Sequence, residues 1–308
     1  MRKDRMDVAG AVALIGLALL FACNQVSIKI VNGGFQPLVG AALRSAIAAV
    51  CVAAFMLAAG RSFRVAPGTG WLGLAVGAAF AAEFVCLYIA LDLTTVTRAT
   101  VFMYSMPVWL ALAAHRFYPG ERITPIKALG LATALGGVVV ALADRGGGGA
   151  AAPLLGDVLA LLGAMGWAAV AVLARAQGAR GVSPEMQLLW MLVVSTPLLF
   201  AMAPLFGPFL RDPGLLEWGV LVAQSSVIVA AGFLAWFWLL GRYPSGAVAS
   251  FAFLSPVFGI LLGWGLLGEP VGPLLLVAGA LVAAGLVLIN WPRRGPPVQV
   301  PQKVRATT

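Results

Sequence analysis

A multi-histidine metal site is excluded at the outset, because His115 is the only histidine in the chain. The three cysteines, Cys23, Cys51 and Cys86, each lie inside an apolar run without C-x-x-C spacing, so they read as small packing residues and not as metal ligands. Charge is scarce as well. Asp, Glu, Lys and Arg make up 10% of 308 residues, against 61% hydrophobic, whereas a soluble globular domain carries about 25% charged residues. Such a chain cannot cover itself with polar surface, and lipid must be its main solvent. A formal charge of +9 would also suit a nucleic-acid binder, but here the basic residues stand singly between apolar runs, which is the pattern of membrane topology signals. No nucleic-acid partner is expected. Walker A, H-E-x-x-H and clustered-carboxylate motifs are missing, as is G-x-S-x-G in a strand–turn–helix setting. An integral-membrane enzyme would need such a constellation, so no catalytic residue, metal or cofactor is expected, and any transport must be facilitated or ion-coupled.

Long hydrophobic runs are what the chain does have. A membrane helix needs about 20 mostly apolar residues. Ten candidates fall at roughly 8–31, 36–59, 71–92, 96–118, 125–144, 154–176, 185–206, 216–241, 246–267 and 272–291. The first run resembles a signal peptide in "ALLFAC", but it continues past Cys23 to about Val31, and an uncleaved first helix is expected. Connectors such as "YPGERITP" and "GEPVGP" are short and carry turn chemistry. The polar, Pro-rich end "RRGPPVQVPQKVRATT" is expected to be a disordered tail. With the N-terminus in the cytoplasm, only Lys29, Arg98, Arg145 and Arg211 fall outside. Arg44 lies within a span, and every other Lys and Arg falls inside. That asymmetry places both termini in the cytoplasm of a cell inner membrane.

The pattern "SMPVWLALAAHRFYPGE" (105–121) returns as "SPVFGILLGWGLLGE" (255–269). Pro107 and Pro256 are 149 positions apart, as are Gly130 and Gly279, and Gly136 and Gly285; Glu121 and Glu269 are 148 apart. "FACNQVSIK" can likewise be laid on "WAAVAVLAR". The reading is an all-α, polytopic membrane protein of ten helices in two five-helix units, residues 1–144 and 154–291. A Gly/Ala-rich connector, 145–153, joins them, and the tail 292–308 follows. Five is odd, so the second copy enters the membrane from the opposite side. Inverted repeats of this kind place a substrate site between the copies.

Ten helices, two repeats and the "SPVFGILLGWGLLGEPVG" ending resemble the EamA-type drug/metabolite transporter superfamily over about residues 7–291, and among its branches the YddG-like bacterial amino-acid exporters. The resemblance implies an exporter of small molecules, amino acids among them, with a cavity lined by helices 1, 3, 4, 6, 8 and 9. Other metabolite or drug substrates, with proton coupling, stay open beside that reading. Helix one departs from the family in having Phe21-Ala22 where Trp-Gly is common, so no residue-level substrate code carries over. Nothing in the sequence calls for a second copy, and a monomer is allowed.

Polar side chains within spans point to function by default. Asn24, Arg44, Glu83, Tyr104 and Gln224 all come out about 10–14 Å below the outer ends of their helices at 1.5 Å per residue. They form either a polar rim around an outward-open cavity or, for Arg44 and Glu83, an intramembrane ion pair. Gln25 and Tyr88 join the candidate cavity set, with Trp167 and Trp236 as aromatic wall beside Phe102, Trp109 and Trp238; ordinary interhelical bonding and interface anchoring are the competing readings. Lys29 is expected to snorkel to the outer interface. Pro107 and Pro256 are candidate hinges. Glu121 and Glu269 are expected to favour the N-terminus of the next helix. Gly73/Gly77 and Gly259/Gly263 are expected to be close-packing faces.

Overall fold

Pro37, Pro125, Pro184 and Pro273 each stand first in a helix, where a missing N–H costs nothing and a fixed φ helps. The residue before three of them caps the helix: Gln36, Thr124 and Ser183 each accept a backbone N–H from the first turn. The computed structural model describes residues 7–118, 121–144, 154–243 and 254–290. Expectations for the connector at 145–153, the tail and the first part of helix nine lie outside them.

The helices are α1 (Val8–Gly34), α2 (Pro37–Ala58), α3 (Gly70–Leu93), α4 (Val96–Met103), α5 (Met106–Phe117), α6 (Pro125–Ala143), α7 (Leu154–Ala179), α8 (Pro184–Met202), α9 (Leu215–Ala223), α10 (Phe233–Arg242), α11 (Leu254–Leu267) and α12 (Pro273–Ile289). Among the described residues the only β pairing is an isolated bridge between Phe35 and Leu210. Among the described residues eight spans are long and apolar enough to cross a membrane, with α4–α5 and α9–α10 each counted as one; α11 and α12 are shorter apolar helices. The fold class is therefore helical and membrane-type; the described residues carry eight of the ten expected spans at full length, and the ninth lies partly outside them.

Two spans are irregular. The fourth breaks at Tyr104–Ser105, two residues before Pro107, which cannot donate to the carbonyl of Met103. The eighth contains a π-helical stretch, Gln224–Gly232, between α9 and α10. The hydroxyls of Ser225 and Ser226 donate to the carbonyls of Leu221 and Val222, giving those oxygens partners where the helical register changes. Nothing in the apolar periodicity announces this stretch.

Helix pairing follows an exchange pattern. α3 packs on α7, and α1 packs on the α9–α10 span; α4–α5 packs on α7, and α1 on α11; α6 pairs with α12, α2 with α8 and α4 with α11. Advancing each helix by five spans turns every pairing into another on the same list. Small residues allow the closest approaches. A Cβ on Gly130 would sit 2.9 Å from the carbonyl oxygen of Gly285, and one on Gly285 would sit 2.6 Å from that of Gly130, so α6 and α12 touch backbone to backbone. Gly73 and Gly77 press on Trp190 and Val194 of α8, and Gly259 and Gly263 on Thr100 and Thr97 of α4. Outward faces stay apolar: Leu215 is 94% exposed and Val8 81%, as a lipid-facing surface requires.

Candidate functional site

α1 brings its polar residues to three partners. The Thr100 hydroxyl donates to Gln25 Oε1 at 2.9 Å. Gln224 Nε2, at the start of the π-helical stretch, donates to Asn24 Oδ1 at 2.9 Å. Asn32 Nδ2, which the sequence reading passed over, donates to the carbonyl of Tyr88 at 2.9 Å. Asn24, Gln25, Tyr88 and Gln224 thus gather where α1, α3, α4 and the eighth span meet. Lys29 reaches the end of the bundle opposite the α1 N-terminus and is engaged there. Its Nζ donates to the carbonyls of Leu91 and Thr94, at 2.7 and 2.9 Å, closing the C-terminal end of α3, where a cation meets the negative end of the helix.

The expected Arg44–Glu83 ion pair is not formed. No oxygen of Glu83 comes within 4.0 Å of an Arg44 nitrogen, and Glu83 Oε2, Arg44 Nε and Arg44 Nη2 are without hydrogen-bond partners among the described residues. The cause is the face each occupies. Phe80, Phe84 and Tyr88 recur every fourth residue along α3, and the Arg44 guanidinium lies over the Phe84 ring, 3.7 Å from its centroid. Glu83 projects from the neighbouring face of α3, where its Cα and Cβ back onto Gly166 of α7. Equal depth does not imply equal azimuth. The Tyr88 hydroxyl is buried and has no hydrogen-bond partner among the described residues.

Tyr104 and Trp167 do meet, edge to face at 6.1 Å, across α4 and α7. Trp236 is not brought to this group. It packs edge-on against Phe21 at 6.1 Å and joins a separate apolar cluster of Leu14, Leu17, Leu239 and Tyr243. Trp238 is 59% exposed, with Arg242 over its ring, as an interface anchor would be. Phe102 is core, and Trp109 Nε1 donates to Ser105 Oγ at 3.2 Å. Pro107 follows the break in the fourth span; Pro256 lies in the first described turn of α11.

At the end of the bundle opposite the α1 N-terminus, helices are tied together by residues whose role the sequence did not reveal. Arg98 forms a buried salt bridge with Asp157 and donates to the carbonyls of Asp144 and Ala141, at 2.7 and 2.9 Å. Thr94 adds a hydrogen bond to Asp157 at 3.2 Å. Glu269 does not serve the helix that follows it. Its carboxylate caps α4, accepting from Val96 N at 2.7 Å and from Thr97 N and Oγ1 at 2.8 Å. Glu121 pairs with Arg175 at 2.6 Å, and this hydrogen bond holds its carboxyl below the usual glutamate range. Asp92 receives two hydrogen bonds from Arg211, which raise the already high value of the guanidinium. Among the described residues no group of three or more His, Cys, Asp or Glu could hold a metal.

The signal for Arg98–Asp157 was present. Each lies one turn inside its span, at the same end of the bundle, so the depth argument applied to Arg44 and Glu83 would have paired them.

Comparison with known proteins follows from this architecture. The EamA-like transporter family matches the chain twice, over residues 8–143 and 154–291. An uncharacterised protein of Pseudomonas aeruginosa is 32% identical over 246 residues, covering 79% of this chain and 82% of its own. The probable amino-acid metabolite efflux pump of Escherichia coli is 26% identical over 295 residues, 93% of this chain and 94% of that one. A solved crystal structure superposes with a TM-score of 0.65 at 23% identity, over 91% of this chain and 97% of the other, which speaks to the fold alone.

Proposed function

Because the chain belongs to the EamA-like transporter family, we propose that this multi-pass membrane transporter exports amino acids and related small metabolites from the cell across the inner membrane. The two units, 1–144 and 154–291, are inverted copies that exchange access to a shared site. The observation that carries the reading is the polar group set between them: Gln25, Glu83, Tyr88 and Gln224 are all buried, and they come from both halves of the chain. Buried polar groups in a membrane bundle are costly, and transport sites are where they are retained. The name of the Escherichia coli relative supports amino-acid-related cargo.

Asn24, Gln25, Glu83, Tyr88 and Gln224 line the site in this reading, with the Tyr104–Trp167 pair as its aromatic wall. The break before Pro107 and the turn at Pro256 take up the motion. Both termini lie in the cytoplasm. Purified protein in liposomes, offered each of the twenty labelled amino acids with and without a pH gradient, should move some of them faster than empty liposomes. Rates equal to empty liposomes across the panel would overturn the reading, and dependence on the gradient would separate coupled from facilitated transport.

A further inference from the structure

Among the described residues, buried polar atoms around α2 and α3 lack protein partners at several side chains, the Ser45 hydroxyl and Asn32 Oδ1 included. Arg44 is 1% exposed, and neither its Nε nor its Nη2 has an acceptor. Glu83 Oε2, the Tyr88 hydroxyl and Gln224 Oε1 have no partner either, on residues that are 5%, 0% and 1% exposed. Stacking on Phe84 favours the guanidinium as a cation through its face. It does nothing for the N–H donors, which lie around the edge. Two opposite charges in one buried region would ordinarily close on each other, because separated they bear the full desolvation penalty. Here aromatic stacking fixes one and close packing on Gly166 fixes the other, and they stand apart.

An α-amino acid carries the same two charges in the opposite sense. We propose that Arg44 and Glu83 form a clamp for the amino-acid zwitterion: the Arg44 edge donates to the substrate carboxylate, and Glu83 accepts from its ammonium. Tyr88 has a hydroxyl to donate to the carboxylate, and Gln224 an oxygen to accept from the ammonium. Both ends are then answered by charge-assisted bonds in a region that excludes water. The clamp reads only the part common to all amino acids, so the side chain is left to other walls of the site. This inference rests on the exporter reading above.

The test uses competition against transport of whichever labelled amino acid the wild-type protein moves fastest. Its amide lacks the carboxylate, and its N-acetyl derivative lacks the ammonium. Each should compete at least about tenfold less well than the parent, the loss expected when one charge-assisted contact is removed. Arg44→Gln should then treat acid and amide alike, and Glu83→Gln should treat the free and N-acetyl forms alike. The wild-type comparison stands without the variants should either fail to fold. Transport in which all three compounds compete equally overturns the clamp and leaves the exporter reading intact. Competition by acetate as strong as that by the parent also overturns it, in favour of a simple anion site. Failure to move any amino acid overturns the exporter reading, and the clamp with it.

Discussion

The Glu269 carboxylate accepts both the backbone N–H and the hydroxyl of Thr97, each at 2.8 Å, so the second half of the chain holds the first turn of α4 in the first half. A third bond, from Val96 N, uses the other carboxylate oxygen. All these donors are buried. Glu269→Ala leaves them without an acceptor, and the loss should be on the order of 3 kcal/mol. Thermal unfolding of the purified protein in detergent reads this directly. Glu269→Gln keeps one acceptor oxygen and should fall between. An unchanged melting temperature for Glu269→Ala would show that the contact contributes nothing.

Arg98 and Asp157 make the corresponding prediction for α4, α6 and α7. Removing one partner of a buried pair strands the other charge, and Arg98→Met should cost about 3–5 kcal/mol. Asp157→Leu should cost a similar amount. The double variant strands neither, so it should be clearly more stable than the sum of the two losses implies. Additive losses in the melts would show that the two charges are not coupled.

The fold was largely legible in the chain and the site only partly so. Span positions follow from apolar run length, and the repeat from Pro107/Pro256 and the spaced glycines, because both are one-dimensional signals. Azimuth is not. Arg44 and Glu83 share a depth but project from different faces, and only the packing of Phe84 and Gly166 separates them. Glu269 was read against its neighbour in sequence, α12, whereas its partner α4 lies 172 positions away. The π-helical stretch at Gln224 is a change of hydrogen-bond register that apolar composition does not encode.

Gly136 and Gly285 are repeat equivalents in the sequence, yet they differ in space. A Cβ on Gly285 would meet the Gly130 oxygen and Ala134 Cβ, each at 2.6 Å, whereas one on Gly136 meets nothing within 4 Å. Gly285→Ala should therefore destabilise by about 1–3 kcal/mol through overpacking. Gly136→Ala should be neutral or stabilise by up to about 1 kcal/mol through helix propensity. Matching melts for the two variants would contradict the close approach of α6 and α12.

Glu121 links stability to pH. Arg175 holds its carboxyl below the ordinary value, so the contribution is present above the unfolded-state range and is lost as pH falls through the lower folded value. Melting temperature measured down through the acid range should fall more steeply for the wild type than for Glu121→Gln. The difference should be small, because the pair is solvent-exposed. Parallel curves would assign the pair no role.

Orientation gives the last prediction. Lys29, Arg98 and Arg211, the described basic residues at the end opposite the α1 N-terminus, are all engaged within the protein: Lys29 on α3 carbonyls, Arg98 on Asp157 and Arg211 on Asp92. They serve the fold, and among the described residues that end is left with little free positive charge. At the other end Arg61, Arg64, Arg116 and Lys127 flank the spans. Positive charge retained beside short loops marks the cytoplasmic side, so the α2–α3 loop should face the cytoplasm and the loop before α9 the exterior. Both Ser62 and Pro208 are exposed loop residues. In a background with Cys23, Cys51 and Cys86 replaced by alanine, Pro208→Cys should react with a membrane-impermeant maleimide in intact cells. Ser62→Cys should react only after the membrane is opened. The reverse pattern would invert the topology, and with it the direction in which the bonded end of the bundle faces.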